Sequence, residues 1–440
     1  MSITKQIKKN SRNSYLILSA LLLSMPLMTA CELFKAGAED EEAGTGENSL
    51  EFKQANAKMQ AACKNFSREP AKNVSQNICQ KRADSEVVTE LSHASHRFSE
   101  LSGMRAHGNQ IYYINDSGDD SYFYFTSLSG SGYGRVEIQG YDMRDFEAIE
   151  VAPCQKTNSA TSTTMCLVLA DTGNDFHRAV PSVVQQNLVF VQIPDGGFSD
   201  GAQVSPYAIV SLNFAAGLTQ EGGFVAKNGY PDFKAIAYNS ATQSLYLINK
   251  SATYHSKKYW GTNIFKVGNW NATAGGTTNS TISGAGSIAL PKMILGEMCG
   301  TVDFDPLKFE IPSSKETPFD KDEINFEELI KHPMAKAVIT DMDFSTDGKS
   351  LLMATYGGIW ELDFDIRNSI GNIDSSAASS WELGKEYRLV RETSMIPLVE
   401  GVSYLPDSRN FVMINEVDTN DYTHNAIDDK PKLVETDCSE

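Results

Sequence analysis

An all-β fold assembled from a repeated unit is what this sequence predicts, and three observations carry the prediction. One stretch, residues 101–125 (LSGMRAHGNQIYYINDSGDDSYFYF), is followed by four further versions of the same grammar. Each version has a polar, a small and an apolar residue in turn, then an apolar strand, then a second apolar strand after a loop. From residue 87 onward the period is two rather than 3.6, and runs rich in Ile, Leu, Tyr, Phe and Val are bounded by Gly, Asn, Asp or Ser. Several versions add a fourth strand. Four antiparallel strands per unit, repeated around a circle, describe a β-propeller, which closes on itself and leaves no long open edge. A β-helix would show shorter and more regular rungs, and a sandwich would not repeat one three-strand grammar five times.

The versions run in order as follows. The first has Ser102-Gly103-Met104, a strand ending in Asn115-Asp116 and a third strand at 122–125. The second has Glu147-Ala148-Ile149, a strand ending in Asp171, and a third at 188–191. Lys234-Ala235-Ile236, a strand ending in Asn249 and a strand at 264–267 make the third. The fourth has Thr340-Asp341-Met342, a strand ending in Thr355 and a strand at 359–362. Glu400-Gly401-Val402, a strand ending in Asn415 and Leu433-Val434 make the fifth. Fourth strands are read at 134–138, 207–214 and 387–390. Loops intrude at 155–165, at the Gly/Thr/Asn/Ser-rich 269–286 and at 299–336, the last with a charged, helical piece at 321–330. Five blades are visible. The long third-to-fourth interval, or strands from the two termini, supplies room for one more, so a six-bladed ring is the expectation.

Before the repeats, basic residues at 5–12 precede an apolar run at 15–27 and then Leu27-Met28-Thr29-Ala30-Cys31. The run is too short, and too soon followed by polar residues, for an ordinary membrane-spanning helix. It resembles a bacterial lipoprotein signal with cleavage before Cys31 and lipid on that residue; an ordinary signal peptide cut after Ala30 is the alternative. The lipoprotein resemblance implies the outer membrane, with Glu32 compatible with that destination. Residues 31–49 are acidic and Gly-rich and read as a flexible tether. Residues 50–97 read as a helical and irregular segment, and residues 98–440 as the propeller.

Composition narrows the function classes. The 440 residues are 41% hydrophobic, ample for a core, and carry a formal charge of −18. Loss of residues 1–30 removes Lys5, Lys8, Lys9 and Arg12 and no acid, which takes the charge to −22. Such a surface repels phosphate backbones, so no nucleic-acid partner is expected. Beyond Cys31 there are six cysteines, an even number that suits disulfides in an exported chain. Closeness in sequence favours Cys63–Cys79 and Cys154–Cys166, leaving Cys299–Cys438. Zinc finds no CxxC spacing and no adjacent His pair.

Equivalent residues of stacked repeats fall into rings at the mouth of a propeller channel. The polar residue opening each first strand gives Ser102, Glu147, Lys234, Thr340 and Glu400; the residue ending each second strand gives Asn115, Asp171, Asn249, Thr355 and Asn415. The next position gives Asp116, Thr172, Lys250, Tyr356 and Glu416. All fifteen are polar or charged, whereas the intervening strand positions are read as apolar. Glu147, Asp171 and Glu400, with the amides, supply the hard oxygen ligands that Ca²⁺ prefers. Lys234 and Lys250 neutralise those carboxylates or hold an anionic ligand group. The plainer reading is that Asn and Asp at strand ends cap local backbone groups. Nucleophilic catalysis has little support, since there is no Gly-x-Ser-x-Gly elbow and the seven histidines show no triad or metal spacing.

As an ordered set, LSGM…INDSGDD, RDFEAIEV…LVLADTGND, YPDFKAIAY…LYLINK, ITDMDFSTDGKSLLMATY…IWEL and VEGVSYLPDSRNFVMINE resemble a bacterial group of secreted phytase-like or lactonase-like propellers, over residues 98–416. The phytase-like branch implies Ca²⁺ and phosphate-ester hydrolysis at one channel mouth; the lactonase-like branch implies one metal held by Glu, Asn and Asp. Lys234 in the first ring, and the lack of dense acidic clusters, depart from both patterns. The leading expectation is therefore a lipid-anchored, monomeric envelope propeller that binds a small anionic ligand or an envelope protein at its mouth. A Ca²⁺-dependent hydrolase of phosphate esters or lactones is the second expectation.

Overall fold

The computed structural model of the chain describes residues 86–91, 101–115, 121–155, 164–173, 185–214, 233–249, 262–268, 270, 274–288, 338–355, 358–364, 382–383, 387–392, 399–415, 432–436 and 438. Cys31, read as the lipid-attachment residue, the expected tether, residues 50–85 of the segment read as helical and irregular, the helical reading at 321–330, and Asp116, Lys250 and Glu416 lie outside the described residues.

The described elements are all strands. β1 (Glu86–Glu90) comes first. The first blade is β2 (Leu101–His107), β3 (Gln110–Asn115), β4 (Tyr122–Ser127) and β5 (Gly134–Ile138). The second begins with β6 (Phe146–Pro153), β7 (Met165–Asp171) and β8 (Asn187–Gln192). A short strand, β9 (Ala202–Val204), pairs in parallel with β5 of the first blade before β10 (Ala208–Phe214) completes the second. The third blade is β11 (Phe233–Asn239), β12 (Ser244–Asn249), β13 (Thr262–Val267) and β14 (Gly276–Ile288). The fourth has β15 (Ile339–Phe344), β16 (Ser350–Thr355) and β17 (Gly358–Asp363); β18 (Glu382–Leu383) pairs with β14, and β19 (Tyr387–Glu392) is the fourth strand. β20 (Val399–Tyr404), β21 (Phe411–Asn415) and β22 (Lys432–Thr436) form the fifth, with β1 as its outer strand.

The inner strands close a circuit: β2 lies against β6, β6 against β11, β11 against β15, β15 against β20, and β20 against β2. The chain is thus a β-propeller in which five described blades complete the ring. Because β11 touches β15 directly, a sixth blade has no place between the third and fourth repeats. The termini do share a blade, but it is the fifth. β1 pairs antiparallel with β22 from Glu86↔Thr436 to Glu90↔Lys432, so the propeller begins before residue 98.

Residues 269–286, read as a loop excursion, contain most of β14 instead. Its first half pairs in parallel with β10 and its second half antiparallel with β13, so one long strand joins the second and third blades into one sheet. Backbone pairing on both sides overrides a Thr/Ser/Gly composition with little apolar content.

Apolar residues fill each blade interface. Phe123, Ile149 and Val189 pack between blades one and two, and Val168, Phe190, Phe233 and Phe265 between two and three. Tyr246, Phe344 and Phe364 meet edge-on or tilted between three and four. Val390, Tyr404 and Met413 lie between four and five, and Met104, Tyr113 and Ile414 between five and one. The expected Cys154–Cys166 disulfide is present, with Cα atoms 5.0 Å apart. Cys438 is also disulfide-bonded, to a partner outside the described residues.

Candidate functional site at one mouth of the channel

The inner strands share one irregularity. Each carries an extra residue relative to its hairpin partner, at the same repeat position. Phe146 faces Asp171 and Ala148 faces Ala170, which leaves Glu147 outside the ladder. The same count isolates Lys234, Thr340 and Glu400, and on β2 it falls in Ser102-Gly103. A β-bulge re-aims the side chain of its extra residue. The first predicted ring is therefore a ring of five bulges, which explains why polar residues interrupt apolar strands there.

Three of the five meet directly. Lys234 Nζ donates to Glu147 Oε2 and to Ser102 Oγ, both at 2.7 Å, and Ser102 Oγ lies 3.1 Å from Glu147 O and 3.3 Å from its Oε2. Blades one, two and three are joined at the mouth by this network. Beside it, Gly173 makes a notch. An added Cβ there would lie 2.2 Å from Asp145 Oδ2 and 2.7 Å from Glu147 Oε1, which places those two carboxylate oxygens no more than 4.9 Å apart. Thr340 Oγ1 is fully buried and has no hydrogen-bond partner among the described residues. Glu400 completes the ring and is also buried.

The second ring divides differently. Asp171 Oδ1 accepts the Asp145 backbone N–H, and its Oδ2 accepts from Tyr141, at 2.5 Å, and from both Nε and Nη2 of Arg144. Asn249 Oδ1 caps the Asn263 N–H, and Thr355 Oγ1 bridges Gly358 O and Trp360 Nε1. These are the local capping roles of strand-end residues. Asn115 and Asn415 face Leu101 and Val399, the residues just before the bulges of the first and fifth blades.

Below the ring lies a layer that sequence reasoning missed. Three residues past each bulge stand Arg105, Glu150, Ala237, Asp343 and Ser403, and Asp341 occupies a position that is Gly or Ala in the other four repeats. The intervening positions are thus not uniformly apolar. Arg105 is 2% exposed and reaches every other inner strand. It donates to Val402 O (2.8 Å), Ile236 O (2.9 Å) and Met342 O (2.7 Å), and its Nε lies 3.2 Å from Glu150 Oε2 without hydrogen-bond alignment. Asp341 is 3.4 Å away and Asp343 3.9 Å. The carboxylates in turn accept backbone N–H groups of Met104, Val151, Tyr238, Val402 and Tyr404. Burial works against the charge on Arg105, but Glu150, Asp341 and Asp343 outweigh it and raise its pKa. Burial pushes Glu150 up to about 8 and Asp341 to about 6, against the pull of Arg105. Asp343 is raised for the same reason. This plug fills the axis of the ring, so the mouth is a blind end rather than the entrance to a pore. A scan of the +3 positions of the five repeats, kept separate from the ring, would have found it.

Of the residues expected to hold Ca²⁺, Glu147 and Asp171 each have a cationic partner. Glu147 is paired with Lys234, Asp171 with Arg144, and no three His, Cys, Asp or Glu side chains among the described residues form a metal-binding group.

No family model matches the sequence, and no curated protein matches it. Among solved structures it is similar to the major allergen of Malassezia sympodialis, at 11% identity and a TM-score of 0.38, over 80% of this chain and 96% of that one. PQQ-bound aldose sugar dehydrogenase from Streptomyces coelicolor gives 8% identity and a TM-score of 0.35, over 80% and 99%. A Bacteroides thetaiotaomicron protein of unknown function gives 9% and 0.34, over 80% and 76%. Likeness at this level assigns no activity. The chain itself is an all-β propeller with a polar, blind mouth.

Proposed function

We propose that the protein is an exported, lipid-anchored propeller that acts as a binding module, and that its mouth receives a donor-rich cationic group. That group is an amine or guanidinium, carried by a small ligand or by a basic segment of an envelope protein. The observation that carries this reading is the recurrence of a bulge with a polar residue at one position in all five inner strands, three of whose side chains, Ser102, Glu147 and Lys234, meet at that end of the ring. Among the described residues there, Asp145, Glu147 and Glu400 outnumber Lys234, and Lys234 is held by Glu147 and Ser102. We take the described carboxylates, rather than the bound lysine, as setting the preferred ligand charge, in place of the anionic ligand expected from the sequence. The buried Thr340 hydroxyl offers a further acceptor.

Catalysis through Ser102 is disfavoured by the same contacts. A lysine in an ion pair with a carboxylate is a donor, not a base, and the serine oxygen is occupied. A calcium hydrolase of the phytase-like or lactonase-like kind would first have to free Glu147 from Lys234 and Asp171 from Arg144. Lipid attachment at Cys31 and an outer-membrane position rest on the N-terminal signal, as does the view that the propeller works as a tethered monomer.

Calorimetric titration with spermidine, arginine amide, inorganic phosphate and Ca²⁺ tests the reading. Binding of the two cationic organics, lost in Glu400→Gln, supports it. Phosphate or Ca²⁺ binding that depends on Glu147 and Glu400 would overturn it in favour of the hydrolase. A Cys31→Ser variant recovered in the soluble fraction, against membrane-bound parent protein, tests the anchor.

A further inference from the structure

The opposite end of the ring holds a cavity, between blades one and two, with a volume of about 310 Å³. Its walls are the β2–β3 turn with His107 and Asn109, the start of β7 with Thr164 and Met165, and the end of β8 with Gln192 and Asp195. β2 and β8 leave the polar mouth and end here, while β7 begins here and ends at that mouth, so the two sites are on opposite faces of the propeller.

The cavity is built rather than incidental. Gly197 N donates to Pro194 O at 3.0 Å, closing a turn in which Gly196 and Gly197 both have φ of 87°. Gln110, from blade one, clasps the residue after that turn through both backbone groups. Its Nε2 donates to Phe198 O at 3.0 Å, and its Oε1 accepts Phe198 N at 2.9 Å and Tyr112 OH at 2.8 Å. An added Cβ on Gly197 would sit 2.0 Å from Gln110 Oε1, so only glycine allows this clasp. Phe198 packs edge-on against Tyr112 and Phe123, and Ile193 N donates to Met165 O at 2.9 Å beside the Cys154–Cys166 disulfide. Each wall is tied to its neighbour.

The lining selects a chemistry. Among the described residues no Lys or Arg contributes, which disfavours phosphates and other anions, and their single carboxylate is too few for a metal ion. What remains is one carboxylate, two amides, the hydroxyls of Thr164 and Tyr112 and an imidazole, beside the apolar surface of Met165, Ile193 and Pro194. Burial lowers the His107 pKa, so the ring keeps one donor and one acceptor near neutral pH. Planar amides and carboxylates bridge adjacent hydroxyls, and apolar atoms cover C–H faces. The volume is at the lower end of ligand pockets, which span roughly 300–1,000 Å³, so the occupant is one or two rings in size. We infer that this cleft is a binding site for a neutral sugar, a mono- or disaccharide or the end of a longer glycan, separate from the mouth described above.

Saturation-transfer NMR on the full chain, with glucose, galactose, mannose, xylose, N-acetylglucosamine, maltose and cellobiose as probes, tests it. Gln192 and Asp195 are exposed, so Gln192→Ala and Asp195→Ala should fold as the parent does. The expected result is saturable transfer to at least one sugar, weakened about tenfold or more in each variant and unchanged in Glu400→Gln. No saturable transfer from any sugar in the panel, or transfer indifferent to both cleft variants, would overturn the assignment. Because Glu400 belongs only to the mouth, failure here leaves the mouth reading standing, and the reverse also holds.

Discussion

Arg105 of the first blade and Glu150 of the second face each other 3.2 Å apart at the axis of the ring, both almost wholly buried. Around them, one guanidinium touches backbone or side-chain groups of all four other inner strands. The five blades are therefore held at the centre by a polar clamp as well as at their faces by apolar packing. Arg105→Ala leaves three carboxylates buried without their shared counter-charge, and breaking such a cluster costs roughly 3–5 kcal/mol. Urea unfolding should show that loss as a lower midpoint. A change below about 1 kcal/mol, the level of a surface substitution, would contradict the clamp.

The same clamp makes stability depend on pH. Folding raises Glu150 to about 8 and Asp341 to about 6, mainly by burial, whereas in unfolded chains these groups titrate near 4. A raised carboxyl pKa means that the native state binds more protons than the unfolded one. The stabilising contribution is thus complete below about pH 4 and fades as the pH rises through about 6 and then about 8. Asp347 is shifted the other way, chiefly by its hydrogen bonds, which outweigh burial; its contribution is lost only as the pH falls through the ordinary carboxylate range. The melting temperature should accordingly drop between about pH 6 and pH 8.5, and Glu150→Gln should flatten that drop. A parent profile that is level or rising over this interval would count against it.

The sequence made the scaffold readable because the bulge residues are polar in strands that are otherwise apolar, five times over. Glu147, Lys234 and Glu400 stand out for that reason, and the structure brings Glu147 and Lys234 together with Ser102. What could not be read is which blade faces which. Whether Lys234 neutralises Glu147 or waits for an anion depends on the closure of the ring, not on either residue's neighbours in sequence. Arg105, Glu150 and Asp343 were hidden for a simpler reason: they sit one bulge out of phase with the alternation, so each resembled an isolated irregularity. β14 was hidden because pairing from both sides, not apolar content, holds it in a strand.

The Cys154–Cys166 bond closes a short loop between β6 and β7 and has a sequence separation of 12. Constraining an unfolded loop of about that length is worth roughly 3 kcal/mol. Replacing both cysteines by alanine should lower the unfolding free energy by about that amount, and reductant should have no further effect on the β6–β7 hairpin. Since Cys166 directly follows Thr164 and Met165 of the cleft wall, the double variant should weaken binding at the proposed sugar cleft without altering the mouth.

Gly401 lets the fifth inner strand approach the first. An added Cβ would stand 2.7 Å from Met104 Cγ and 2.8 Å from Ile414 Cγ2, closer than real contacts allow. Gly401→Ala should therefore cost about 1–3 kcal/mol by overpacking. Met104→Ala in the same chain removes one of the two clashing atoms, so the double variant should be less destabilised than the sum of the singles. Strict additivity would show that the two strands do not press on each other here.

Ring closure itself rests on β1, the only described strand from the N-terminal side of the repeats to join the fifth blade. Its five residues pair with β22 in an unbroken register from Glu86↔Thr436 to Glu90↔Lys432. Deleting the chain through residue 90 removes that partner and leaves β22 as an edge with unpaired N–H and C=O groups, a template for pairing with another chain. Loss of half of the β22 pairing also weakens the packing of Leu433 and Val434, which belong to the cores on either side of the fifth blade. The truncated protein should melt at a lower temperature, and elute as dimers or larger species, relative to a chain cut just before residue 86. Added synthetic peptide with the β1 sequence EVVTE, carrying its native flanks, should restore the monomer by filling the same edge. A truncated chain that stays monomeric with an unchanged melting temperature would show that the ring is closed by the inner strands and the central clamp alone.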